Sequence, residues 1–103
     1  MITDFWAKWC GPCRMMSPLV DEMARKYDGK IKFAKLDIET NPMIAEQLGV
    51  TSIPTFIITN KGQVIDVVVG ARPKKDFEFL IDYYIGKNLR IKEEGQKNSE
   101  ESD

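Results

Sequence analysis

An α/β domain with element order βαβαββα, a four-stranded mixed sheet with helices on both faces, is the fold this sequence predicts. Three observations point there. Short apolar runs of strand length alternate with segments whose apolar residues recur every three or four positions. A single hairpin signal, Asn60-Lys61-Gly62, joins two late strands, so the earlier strands are linked through helices by right-handed crossovers. A chain of 103 residues with 43% hydrophobic content is long enough for one core and too short for two.

Each element has its own signal. Ile2 to Trp6 is a short, mostly apolar strand. From Cys10 onward, Met16, Leu19, Val20, Met23 and Tyr27 recur at helical spacing, and Gly29 sits where a C-terminal cap is wanted. Pro18 falls inside that pattern and predicts a kink. Ile31 to Ile38 is a second strand; Asn41-Pro42 supplies an N-cap and a first-turn proline for a short helix ending at Leu48-Gly49. Thr55 to Thr59 and Val64 to Val69 are antiparallel partners across a three-residue hairpin with Gly62 in the left-handed position. Pro73 opens a last helix with Phe77, Leu80, Ile81 and Tyr84 on one face. Beyond Ile91 no apolar residue remains, so residues 1–91 are expected to form the domain and 92–103 an acidic, disordered tail. The expected strand order places Ile31 to Ile38 at one edge, then Ile2 to Trp6, Thr55 to Thr59 and Val64 to Val69.

Composition removes several classes of function. Fifteen basic against sixteen acidic residues give a net charge of −1, which offers no field for nucleic acid or an anionic membrane. The chain has no histidine, so it cannot build a Cys-His nucleophile, a Ser-His triad or a His-metal site. No leader-like N-terminus or membrane-length apolar run is present, and the expected compartment is the cytoplasm, where thiols stay reduced.

Both cysteines of the chain lie in the stretch "DFWAKWCGPCRMM". A structural disulfide there would close a loop worth only about 2 kcal/mol, and a zinc site needs about four ligands where this chain supplies two. A redox pair explains the placement better. A first cysteine at a helix N-terminus sits among unpaired N–H groups that favour a thiolate, and a second lies one turn further within bonding reach. One thiol attacks and the other resolves. Lowering a thiol pKa from about 8.5 to about 7 raises the thiolate fraction roughly sixteenfold at neutral pH, and lost nucleophilicity returns about a factor of five. Most of the rate must therefore come from docking the target disulfide in line and from the high effective concentration of the second thiol. Pro12 fixes the first helical turn and Gly11 lets another backbone approach. Neither adds a charge or side-chain donor for the thiolate, so the pair is expected to be reducing.

The segments "DFWAKWCGPCRMMSP", "AKLDIETNP", "SIPT", "KGQV" and "VVVGA" together resemble the thioredoxin family over about Ile2 to Ile85. The resemblance implies that Cys10 is the nucleophile, Cys13 the resolving thiol and Trp9 a surface aromatic bordering the site. It implies a cis peptide bond at Pro54, with the backbone at Ile53 pairing with an incoming substrate strand and Gly11, Pro12 and Gly70 completing the substrate surface. Asp4, an odd carboxylate in an apolar strand, matches a buried aspartate that moves the proton of the resolving cysteine, with Lys35 beside it. Burial would raise its pKa toward working pH. No cofactor beyond the Cys10–Cys13 disulfide is implied; the partners are protein disulfides and a thioredoxin-reductase-type electron donor. Full-length relatives carry one more strand and helix ahead of the equivalent of Ile2. A bare sheet edge is therefore expected, with Lys30, Lys32 and Lys35 along it discouraging strand pairing, and a monomer is expected in solution.

Met15, Met16 and Met23 are expected in helix packing, Trp6 in the core, and Lys8 and Arg14 in solvent. Two other functions compete with disulfide reduction. An oxidase or isomerase of the same fold usually carries a histidine or another polar pair between its cysteines; a binding module would leave the thiols incidental.

Overall fold

The computed structural model describes residues 1–97, with side chains described as far as Lys87. Its elements are β1 (Ile2–Trp6), α1 (Gly11–Lys26), β2 (Phe33–Asp37), α2 (Pro42–Gln47), β3 (Thr55–Asn60), β4 (Gln63–Val69) and α3 (Lys74–Lys97). The chain divides into two compact units, Met1–Arg72 and Pro73–Asp103.

The first unit holds one four-stranded sheet in the order β2-β1-β3-β4. β1 runs parallel to β2 and antiparallel to β3, and β3 is antiparallel to β4. The sheet is mixed as expected, with the crossover helix α1 linking its parallel pair. β2 is shorter than the sequence suggested. Ile31 instead closes the end of α1, donating its N–H to the Tyr27 carbonyl at 3.0 Å. The hairpin turns on two residues, with Asn60 paired to Gln63 and both Lys61 and Gly62 at positive φ, 53° and 82°. That double left-handed turn matches strand twist better than a three-residue loop, and a register shift between Ile58 and Thr59 absorbs the difference.

Side-chain alternation assigns the two sheet faces. Phe5 and Ile57 pack with Ala45 of α2, flanked by Leu36, Ile38, Val50 and Ile53. Asp4 and its register partner Lys35 point the other way, where Lys35 meets Ser17 and Asp21 of α1. Helices therefore lie on both faces of this sheet.

The apolar stripe of α1 is real: Cys13, Met16, Val20 and Met23 are buried, and so is Tyr27 at the C-cap. Met16, Val20 and Met23, removed from water, together contribute about 5–9 kcal/mol before chain entropy is charged against them. Arg25 and Lys26 sit in the last turn, where cations suit the helix dipole. The helix continues through Pro18. Met15 is the exception to the expected methionine packing: it is 73% exposed, because it falls a third of a turn off the buried stripe. Trp6 is half-buried at the margin of the core. Asn41 occupies the N-cap position of α2, yet its side chain turns back and donates to the Asp37 carbonyl at 3.1 Å.

In the second unit Phe77 and Ile81 are buried, one helical turn apart on α3. The helix covers residues 92–97 of the expected tail, and residues 98–103 lie outside the described residues.

Candidate active site

Cys10 is the N-cap of α1, in extended conformation, and its Sγ accepts the N–H of Cys13 at 3.1 Å. The strand β1 delivers it: Ala7 is fully buried beneath the turn, and the Cys10 N–H is anchored on the Ala7 carbonyl at 3.2 Å. Pro12 stands in the first helical turn, where a missing N–H costs nothing. The two sulfurs are joined as a disulfide with Cα atoms 5.3 Å apart. Both cysteines are nearly closed off, at 5% and 3% exposure, within a cluster formed with Ala7, Trp6, Ile38 and Ile53.

Across from the pair stands the loop before β3. The Ile53–Pro54 peptide is cis, as the resemblance implied, and Cys10 Sγ lies 3.9 Å from the Ile53 carbonyl oxygen. Gly70, with φ of 94°, donates its N–H to the Pro54 carbonyl at 2.8 Å and ties the end of β4 to this loop. Thr55 Oγ1 donates to the Ser52 carbonyl at 2.5 Å, closing the turn from within. No atom lies within 4 Å of the place a Cβ would occupy on Gly11 or Gly70, so both face open space.

Trp9 is 63% exposed beside Cys10, and its indole N–H donates to Glu39 Oε2 at 2.5 Å. Glu39 follows β2, its N–H donating to Asp37 Oδ1 at 2.9 Å. Sequence reasoning did not select Glu39. Thirty residues separate it from Trp9, and "DIET" carries no local sign of the contact.

Behind Cys13 is a cavity of about 160 Å³ lined by Asp4, Trp6, Cys13, Arg14, Ser17 and Lys35. Asp4 is 3% exposed, and its Oδ1 has no hydrogen-bond partner. Burial raises its pKa to about 6; the Lys35 ammonium opposes that rise and the Asp21 carboxylate adds to it. Lys35 pairs in register with Asp4, but its Nζ is engaged elsewhere, 2.7 Å from Asp21 Oδ1 and 2.8 Å from Ser17 Oγ. Ser17 and Asp21 also escaped the sequence reading. Their signal was present: they follow Cys13 by four and eight residues, on the same helix face.

The cysteines, Trp9, Ile53, Pro54 and Gly70 thus meet around the disulfide, and Asp4 and Lys35 lie behind it around the cavity that Cys13 also lines. A larger concavity of about 550 Å³, lined from Ala24 to Phe33, lies at the α1–β2 turn and contains neither cysteine. Among the described residues no cluster could hold a metal ion, and no helix is long and apolar enough to cross a membrane.

Comparison with known proteins gives the same site a context. Residues 1–83 match the thioredoxin family model. Thioredoxin 1 of Nostoc sp. is 55% identical over 85 residues, which is 82% of this chain and 79% of the relative. The thioredoxin of Synechocystis sp. is 48% identical over the same shares, and the chloroplastic M-type thioredoxin of Zea mays is 45% identical over 84% of this chain and 52% of its own length.

Proposed function

This chain belongs to the thioredoxin family, and from that premise we propose how its own side chains divide the work of disulfide exchange. The activity itself is protein-disulfide reduction through the Cys10–Cys13 pair. Partners of this family are disulfide-bearing proteins and a reductase that returns the electrons.

In the reduced protein the Cys10 thiolate attacks one sulfur of a target disulfide. A bond forms between Cys10 and that sulfur, and the other target sulfur leaves as a thiolate. The Cys13 thiol then loses its proton and attacks Cys10 Sγ. The Cys10–Cys13 bond forms, the mixed disulfide breaks and the second target sulfur departs. Two electrons have passed to the target, whose two thiolates take up protons. A dithiol donor reverses the change in the protein.

The observation that carries this division is the asymmetry of the two sulfurs. Cys10 caps the helix and accepts a backbone N–H, a charge-assisted hydrogen bond once the sulfur is a thiolate. Cys13 faces inward onto the cavity that holds Asp4. A carboxyl titrating near 6 can take the Cys13 proton at neutral pH and release it afterwards. The target backbone lies along Ile53 and Pro54, with Gly11, Pro12 and Gly70 leaving room and the Trp9 ring, held by Glu39, as its wall. The work is done in a reducing compartment, the cytoplasm, and no cofactor other than the dithiol is used.

Trapping tests the assignment. Cys13→Ser accumulates mixed disulfides with target proteins through Cys10, because attack survives and resolution does not. Cys10→Ser accumulates none. If Cys10→Ser is the trapping variant, the roles are reversed.

A further inference from the structure

We propose that Asp21 and Ser17 are positioning residues for the resolving step: by holding the Lys35 ammonium against α1 they keep it off Asp4, which stays an open proton acceptor behind Cys13. The proposal rests on the proton role given to Asp4 above.

Lys35 is the register neighbour of Asp4 on the parallel strand, and both line the same cavity. A lysine so placed, with four methylenes of reach, is a natural ion-pair partner for a buried carboxylate. It does not take that place. Its Nζ is 2.7 Å from Asp21 Oδ1 and 2.8 Å from Ser17 Oγ, while Asp4 Oδ1 is buried with no partner. Ser17 and Asp21 are one turn apart, so both reach Nζ from one helix face.

The groups facing Asp4 within this unit are few. β2 contributes Lys35, and α1 contributes Cys13, Arg14, Ser17 and, through Lys35, Asp21. β3 places Phe56, which carries no charge, opposite Asp4. The position of this one cation therefore has large leverage. At an effective dielectric of about 20, drawing an ammonium in from roughly 8 to 5 Å lowers a carboxyl pKa by on the order of one pH unit. A directly paired Asp4 would remain ionised at neutral pH and lose its use as a proton carrier. With Lys35 held away, burial dominates.

The test uses the oxidised protein, whose sulfurs do not titrate and so leave the Asp4 carboxyl legible by carbon NMR. Asp21→Asn frees Lys35 to close on Asp4, and the Asp4 midpoint falls by about one pH unit. Asp21→Asn also removes a negative charge, which acts in the same direction. A Lys35→Gln background separates the two effects: there Asp21→Asn lowers the midpoint by less than half as much. Ser17→Ala, which changes no charge, lowers it by a few tenths of a unit. Asp21→Glu restores the parent value. Equal shifts from Asp21→Asn in the parent and in the Lys35→Gln background overturn the proposal, since Asp21 would then act by its own field alone. In the Cys13-dependent release of mixed disulfide, Asp21→Asn moves the pH midpoint down with the carboxyl. If Asp4→Asn leaves that release unchanged from pH 6 to 9, the proton role of Asp4 fails, and the NMR titration still decides whether the clamp acts on the carboxyl.

Discussion

Replacing Asp4 with Asn shifts the stability of the oxidised protein, relative to the parent, in favour of Asn as the pH rises from 4 to 8. Asp4 is 3% exposed with an unpartnered Oδ1, and its pKa rises from 3.8 to about 6. Between those values the folded protein holds a proton that the unfolded chain has released, so stability falls as pH rises through that window. Above about 6 the loss is complete, at about 3 kcal/mol, since each pKa unit is worth about 1.4 kcal/mol. Asn has no proton to lose. Whatever its amide costs in the cavity is the same at every pH and cancels when two pH values are compared, as do the other carboxylates. The assay is urea unfolding of both oxidised proteins at pH 4 and pH 8. Because pH 4 lies just above the unfolded-state value of 3.8, a small part of the loss is already present there; the gap between the proteins therefore widens by about 2.4 kcal/mol in favour of Asn at pH 8, which is roughly 1–2 M in midpoint for ordinary urea slopes. A gap equal at the two pH values would refute the burial argument and return Asp4 to the class of solvated carboxylates.

Other consequences are equally direct. Gly70→Val forces a branched side chain into a φ of 94°, so thermal unfolding shows a loss of about 1–3 kcal/mol, and target reduction slows as the Pro54 loop loses its tie. Glu39→Ala releases the Trp9 indole, seen as faster fluorescence depolarisation of that ring in a Trp6→Phe background. The expected outcome of light scattering across a concentration series is a monomer throughout. On the β4 edge the Val67 N–H is taken by Asp66 Oδ1 and the Val69 carbonyl by Arg72, and β2 carries Lys35. A concentration-independent dimer would mean that exposed Ile65, Val67 and Val69 are covered by a second copy.

Much of the fold was readable because its signals are local. The β1 boundaries, the stripe of α1 and the late hairpin follow from apolar period and turn residues alone, and strand order followed from crossover handedness. Where the reading missed, a competing local interaction had won. Ile31 went to the C-terminus of α1 because Tyr27 offered a carbonyl, and Asn41 turned back to the Asp37 carbonyl where its side chain was expected to cap α2. The cysteine pair was legible as chemistry from its position at a helix start. The cis bond before Pro54 and the burial of Asp4 were not, since neither leaves a mark in residue spacing; they came from resemblance. Glu39 was invisible because its contact spans thirty residues, whereas Ser17 and Asp21 could have been found by extending the Cys13 helix face by two turns.

The central claim is that the Cys10–Cys13 pair carries electrons to protein disulfides. Turbidity from insulin reduced by dithiothreitol tests it most directly. The wild-type chain shortens the lag and steepens the rise in proportion to its concentration, and the double variant Cys10→Ser, Cys13→Ser behaves as buffer. Equal acceleration by the two proteins, or none by either, would contradict the account.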